Sequence, residues 1–359
     1  MNESYRFKIL RNGAEYAEIF PVSAPTLRME ASGEIKTSLQ GNFYDYAIDT
    51  FGHETEVDWL TDEIRPVMIL DGVEYTLATL IPTTANPERD STKRTVSVEA
   101  YDRCWLMQDT KVEGYYHIAY GAAYMSTIES LLTSAGIATI IKDASDATIP
   151  NEREDWSTGD SYLQIANDLL GEINYNALWF NENGAAILQA KKDPRAANVQ
   201  HVFTSKKTDK RISREAEIVS IMPSVKRTMD VFSVPNVFVV VCSNPDKSVM
   251  TATAVNDNPQ SPLSVSRRGR RIVSVENVDN IASQNELQNY ANQLRNQSMY
   301  TGEVVTITTR NLPGFGVNDI SAINDDDVLG ICVETGWEMQ LGVGGTMTHM
   351  LERTVINLA

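Results

Sequence analysis

The chain has 359 residues, 42% apolar and 22% charged, with 31 Lys and Arg against 48 Asp and Glu for a formal charge of −17. This composition is globular rather than disordered, and the length suits two or three domains, each with its own core. The acidity excludes a protein that grips nucleic acid or binds membranes through basic residues, since both need a cationic face. The opening Met1-Asn2-Glu3-Ser4-Tyr5-Arg6 shows no apolar signal segment, and runs such as Val237–Cys242 fall far short of the roughly 20 residues of a membrane span. Cys104, Cys242 and Cys332 are scattered and lack CxxC spacing, so they read as small core residues of a chain made in a reducing cytoplasm.

In chain order, the first third reads as β. Tyr5, Phe7 and Ile9 alternate with polar neighbours, and Asn12-Gly13 then supplies a tight turn. Val67–Leu70 and Val73–Leu80 repeat the pattern around Asp71-Gly72, and Val96, Val98 and Ala100 mark a strand with one buried face. No useful helical periodicity appears before about residue 120. The middle third predicts a helix on Met125, Ile128 and Leu132 ended by Gly136, and a second over Ser161–Leu170 closed by Gly171. A hairpin follows, Ala177–Phe180 and Ala185–Leu188 around Asn183-Gly184. In the last third, Val237–Cys242 is apolar on both faces and predicts a central strand. Ser283 and Glu286 form a capping box for a helix carrying Leu287, Tyr290, Ala291 and Leu294, with a β-branched strand over Glu303–Arg310 beyond it. No period of 20–50 residues indicates a solenoid. Charge is uneven: residues 1–110 carry −9, residues 111–200 carry −6 and residues 201–359 only −2.

No catalytic, cofactor or metal constellation emerges. His53, His117, His201 and His349 have no metal-ligand spacing. Asn324-Asp325-Asp326-Asp327 lacks the alternation and glycine of a calcium loop and reads as a solvated turn. Gly342-Val343-Gly344-Gly345 lacks the Lys-Ser/Thr of a phosphate loop and reads as a turn between terminal strands. Acid clusters at Glu56, Asp58, Asp62 and Glu63, and at Glu152, Glu154 and Asp155, could in principle supply a glycosidase pair. Among 48 acids such clusters arise by chance, and a solvated face is the simpler reading. Arg267, Arg268, Arg270 and Arg271 stand out in so acidic a chain. They read either as a solvated loop or as a docking patch for an acidic partner, with Asp325, Asp326 and Asp327 as further docking candidates.

The order of these features resembles the phage tail hub, or baseplate hub, family, which also forms the N-terminal part of tail-associated lysins. The resemblance rests on Ile35-Lys36-Thr37-Ser38-Leu39, Asp62-Glu63-Ile64-Arg65-Pro66-Val67, Asp71-Gly72-Val73-Glu74-Tyr75-Thr76-Leu77 and Tyr101-Asp102. It continues through Trp156-Ser157-Thr158-Gly159-Asp160-Ser161, Val234-Pro235-Asn236, Ser261-Pro262-Leu263-Ser264 and the Ala282–Leu294 helix. It implies a mainly β fold with an α+β insertion. Two related small β-barrels (residues 1–110 and 201–359) would flank an inserted α/β domain (residues 111–200), in a homotrimeric ring. It further implies a non-enzymatic hub in the virion of a Gram-positive phage or phage-like particle, assembled in the host cytoplasm without cofactors. Such a hub adapts the hexameric tail tube to a threefold tip and lines the DNA conduit. Its partners would be tube or distal tail rings, the tape-measure protein and a spike or tip protein. The ending Val355-Ile356-Asn357-Leu358-Ala359 stops where the hub should, leaving no room for a lysin. Two rivals follow from the residues: a glycan or peptidoglycan hydrolase, and a glycan-binding tail protein using Trp59, Trp156, Trp179 or Trp337 as platforms.

Overall fold

The structure is a computed structural model that describes residues 2–89, 93–192, 199–206, 217–228, 234–242, 249–259, 261, 263–278, 284–298 and 301–355. The chain divides into two compact units, residues 1–224 with 307–350, and residues 225–306 with 351–359. The first holds 22 basic and 40 acidic residues, the second 9 and 8, so nearly all of the negative surplus belongs to the first.

The first unit is built on a large, mostly antiparallel sheet. From one end its strands are Glu217–Ser220, His201–Thr204, Ile320–Asn324, Leu329–Gln340, Thr26–Glu30, Thr37–Asp49, Ala14–Pro21, Glu3–Arg11, Glu63–Leu70 and Val73–Thr76. Positive φ at Asn12 (53°), Gly13 (78°), Asp71 (49°) and Gly72 (86°) makes both expected turns tight hairpins. Along Glu3–Arg11 the alternation breaks where Ile9 and Leu10 are both buried, and the register with Ala14–Pro21 shifts at that step. Strand Val73–Thr76 is shorter than expected, because Leu80 instead bridges Ile64. Thr37–Asp49 is long enough to pair with Thr26–Glu30, Ala14–Pro21 and Arg94–Tyr101 along different stretches. Its Phe43 packs edge-on against Phe7, with ring centroids 5.3 Å apart.

Within the same unit, three helices share a separate core with short strands: α1 (Cys104–Asp109), α2 (Tyr124–Ser134) and α3 (Tyr162–Glu172). Ile128, Leu131, Ile165, Leu169 and Trp156 lie inside it. Gly136 (φ 84°) ends α2 as predicted. Ser161 caps α3 by accepting the Gln164 N–H at 3.1 Å. Two expectations are corrected. Gly171 lies inside α3, and the left-handed residue that ends it is Asn174 (φ 61°), where the Tyr175 N–H returns to the Leu170 carbonyl. Before residue 120 there is one short helix, α1, seated on the buried Asp102, whose carboxylate accepts the Thr37 and Cys104 N–H groups at 2.7 and 2.9 Å. Strand Trp179–Phe180 pairs antiparallel with Ala186–Leu188, and Ile140–Lys142 adds a parallel neighbour.

In the second unit, Val237–Cys242 is central, antiparallel to Met250–Val255 and parallel to Val273–Val278. The single turn α4 (Val265–Arg268) precedes the last of these strands. Helix α5 (Gln284–Ser298) lays Leu287 and Ala291 onto Val240, Cys242, Ala252 and Ala254. Ser283 and the Glu286 side chain, the expected capping box, lie outside the described residues. Strand Val225–Thr228 pairs with Thr301–Arg310. There the buried carboxylate of Glu303 accepts hydrogen bonds from Arg227 and Arg353. Burial pushes Glu303 up, but the two guanidinium groups outweigh it and hold its pKa below the ordinary value.

Candidate docking surfaces

The arginine cluster is an ordered corner of the second unit. Ser264 caps α4 by accepting the Arg267 N–H at 3.3 Å, and Gly269 at φ 65° ends it after one turn. Asn236, wholly buried, holds the loop beyond: its amide donates to the Arg270 carbonyl at 3.0 Å and accepts the Ile272 N–H at 2.8 Å. The four arginines then diverge in role. Arg268 turns back and donates to the Val234 carbonyl at 2.6 Å, whereas Arg267, Arg270 and Arg271 are exposed. Val273 and Val275, the next outward residues of the edge strand, are 51% and 61% exposed.

Asp325, Asp326 and Asp327 lie in the first unit, at the turn between Ile320–Asn324 and Leu329–Gln340. Asp325 accepts the Asp327 N–H at 3.1 Å, and Asp326 pairs with Lys206 at 3.3 Å. A hydrogen bond from Ser205, with the Asp327 N–H, draws the Asp325 carboxyl below its ordinary pKa. In the other acid clusters Asp58, Asp62, Glu63, Glu152 and Asp155 are tied to cations or backbone, and Glu56 and Glu154 are exposed. Asp62, its side chain fully buried, takes Arg11 at 2.8 and 2.6 Å, and Glu63 takes Arg103 at 2.8 Å. Glu152 meets His117 at 2.6 Å, and Asp155 and Glu172 both meet Arg153. Trp156 and Trp337 are buried, with indole N–H groups donating to Asp168 and the Phe315 carbonyl, so neither can be a glycan platform. Trp59 and Trp179 are half-buried. Among the described residues, no group of three or more His, Cys, Asp or Glu is gathered to hold a metal, and no helix is long and apolar enough to cross a membrane.

Sequence reasoning missed two features. The first is a pair of turns in the first unit, residues 49–53 and 58–62, which expose Phe51 at 84% and Leu60 at 93%. Asp49 accepts the Phe51 and His53 N–H groups at 2.8 Å, and Asp58 accepts the Leu60 N–H at 3.0 Å. These backbone bonds hold both carboxyls below their ordinary pKa. Glu54, Glu56 and Asp58 beside them are exposed. The sequence signal was present, as Asp-x-Phe and Asp-x-Leu spacing of Asx turns, but alternation cannot tell an outward Phe from a core one. The second is a buried polar chain in the same unit. Glu334 meets His349 Nδ1 at 2.9 Å, and His349 Nε2 meets the Thr309 hydroxyl at 3.1 Å.

No family model matches the chain, and no curated protein matches it. Solved structures do. A tail protein from Neisseria meningitidis MC58 is 13% identical with a TM-score of 0.69, over 98% of this chain and 97% of that one. The 43 kDa tail protein of prophage MuSo2 from Shewanella oneidensis is 10% identical with a TM-score of 0.66, over 98% of both chains. An E. coli type VI secretion component, itself described as structurally similar to the T4 tail proteins gp27 and gp5, is 7% identical with a TM-score of 0.53, over 98% of this chain and 78% of its own. Across its length, the chain has the fold of these phage tail proteins.

Proposed function

We propose that this protein is a structural, non-catalytic component of a phage-type tail, the hub that continues the tail tube and adapts it to the tip. The observation that carries this reading is the match to tail proteins over 98% of the chain. The neighbours' hosts include Neisseria and Shewanella, so the reading does not depend on a Gram-positive source. In this reading two β-domains (1–110 and 201–359) and an inserted α/β domain (111–200) repeat three times around the tail axis in a homotrimer. Tube or distal tail rings adjoin on one side and a tip or spike protein on the other, with the tape-measure protein and then DNA passing through. The charge supports the conduit: an acidic wall repels phosphate, so DNA slides without sticking. The acids that would line it belong to the first unit, which carries 40 of the 48.

Native mass and negative-stain imaging test the proposal directly. Three chains per particle and threefold rings are expected, alone or with tube protein. A monomer that joins no ring of tail proteins overturns the reading.

A further inference from the structure

The Phe51–Leu60 segment and the arginine–valine edge are two exposed surfaces that oppose each other in charge. Scattered exposed apolar residues are ordinary, but here two large ones stand at successive turns of one short segment and are held there by fixed hydrogen bonds. Since Glu54 and Glu56 flank them, a covering surface must be apolar at its centre and cationic at its rim. The second unit carries such a surface. Val273 and Val275 point outward from a strand whose described hydrogen-bonded neighbour is Val237–Cys242 on one side only. Arg267, Arg270 and Arg271 are exposed at its start. The electrostatic bias is large: one unit carries 18 more acidic than basic residues, the other one more basic than acidic.

We infer that the Arg267–Val275 edge of one copy docks on the Phe51–Leu60 segment of a second copy, forming a head-to-tail contact between chains. This inference rests on the tail-hub reading and specifies the surface through which its copies meet. A head-to-tail contact uses two different patches per chain, so its repetition gives a ring where the rotation between copies closes after three, as a trimer requires. The Asn236 clasp and the Asp49 and Asp58 turns hold both surfaces in shape before contact, which lowers the entropy lost on docking.

Charge exchange in the full-length protein tests the contact. One variant carries Arg267→Glu, Arg270→Glu and Arg271→Glu, sparing Arg268 because it holds the Val234 carbonyl. A second carries Glu54→Lys and Glu56→Lys, sparing Asp58 because it holds the Leu60 N–H. Sedimentation at low and high salt reads the association state, and circular dichroism melting checks that each variant folds. Each variant alone is expected to raise the dissociation concentration at least about tenfold, and mixing the two sets in one chain to restore most of it. Phe51→Ser with Leu60→Ser should weaken association without lowering the melting temperature. An assembly that ignores both charge sets, or a combined variant no better than either alone, overturns this contact and leaves the hub reading standing. A wild-type chain that never associates, even with tail rings, overturns both.

Discussion

At the scale of single residues, the chain Glu334–His349–Thr309 has a definite protonation pattern. The Thr309 hydroxyl donates to the Arg310 carbonyl at 2.8 Å, so its oxygen accepts from His349, which places the imidazole proton on Nε2. Nδ1 then accepts from a protonated Glu334, whose second oxygen has no hydrogen-bond partner, a tolerable state for a neutral acid and a costly one for a carboxylate. Burial drives both groups neutral: it raises Glu334, helped by the Asp319 charge, and lowers His349 to about 3, with the His201 charge adding to it. Unfolded, they return to ordinary values of 4.5 and 6.5. Between those values the pair holds one proton in both states, so it gives stability no pH slope. Above 6.5 the unfolded pair is empty while the folded pair keeps its proton, so stability falls as pH rises, by up to about 1.4 kcal/mol per unit. Below 4.5 the unfolded pair holds two protons and stability falls as pH falls. Glu334→Gln, which can still donate to Nδ1, should remove the alkaline limb in urea titrations across neutral to mildly alkaline pH. A slope identical to wild type would mean that the pair is ionic instead.

At the scale of elements, local chemistry and long-range pairing divide the credit. Asn12-Gly13 and Asp71-Gly72 were legible because a left-handed pair is a property of adjacent residues. Helix α1 was not, since six residues hold too little periodicity and the acid that seats it bridges to Thr37 far upstream. The end of α3 was misplaced because Gly171 is compatible with helix, and packing of the last turn decides where the chain leaves it. The pairing of Thr26–Glu30 with Gly336–Gln340 joins the chain's two ends in the sheet and could not be read from either strand. It depends on Gly336, where a Cβ would lie 2.8 Å from the Met29 carbonyl oxygen and 2.8 Å from Met350 Cε. Gly336→Val should therefore cost about 1–3 kcal/mol by chemical denaturation, despite the β preference of valine. A stability equal to wild type would show that the strands can separate there without loss.

For the whole molecule, charge is the property with the widest reach. By thirds of the sequence it declines from −9 to −6 to −2. Folding regroups it more sharply, because residues 201–224 and 307–350 join the acidic unit and leave the remainder nearly neutral and arginine-rich. A body of that polarity should exclude duplex DNA while attracting its own basic surface. In a gel-shift experiment at low salt, where phosphate binding is strongest, no retention of linear duplex is expected. Tight, salt-sensitive binding would contradict a conduit that DNA slides through.

By itself the sequence determined what depends on neighbours: the β character of the first third, the Ser161 cap, the positive-φ turns, the valine strand as a central one, and the arginine corner as an anomaly. The phage-tail-protein fold was also legible there, through the order of many weak features. Tertiary structure alone decided which strands from opposite ends share a sheet, and which apolar residues stay outside. Alternation records that a strand has a face to cover but not what covers it. That is why Trp337, read as a candidate platform, is core, while Phe51 and Leu60 stand in solvent.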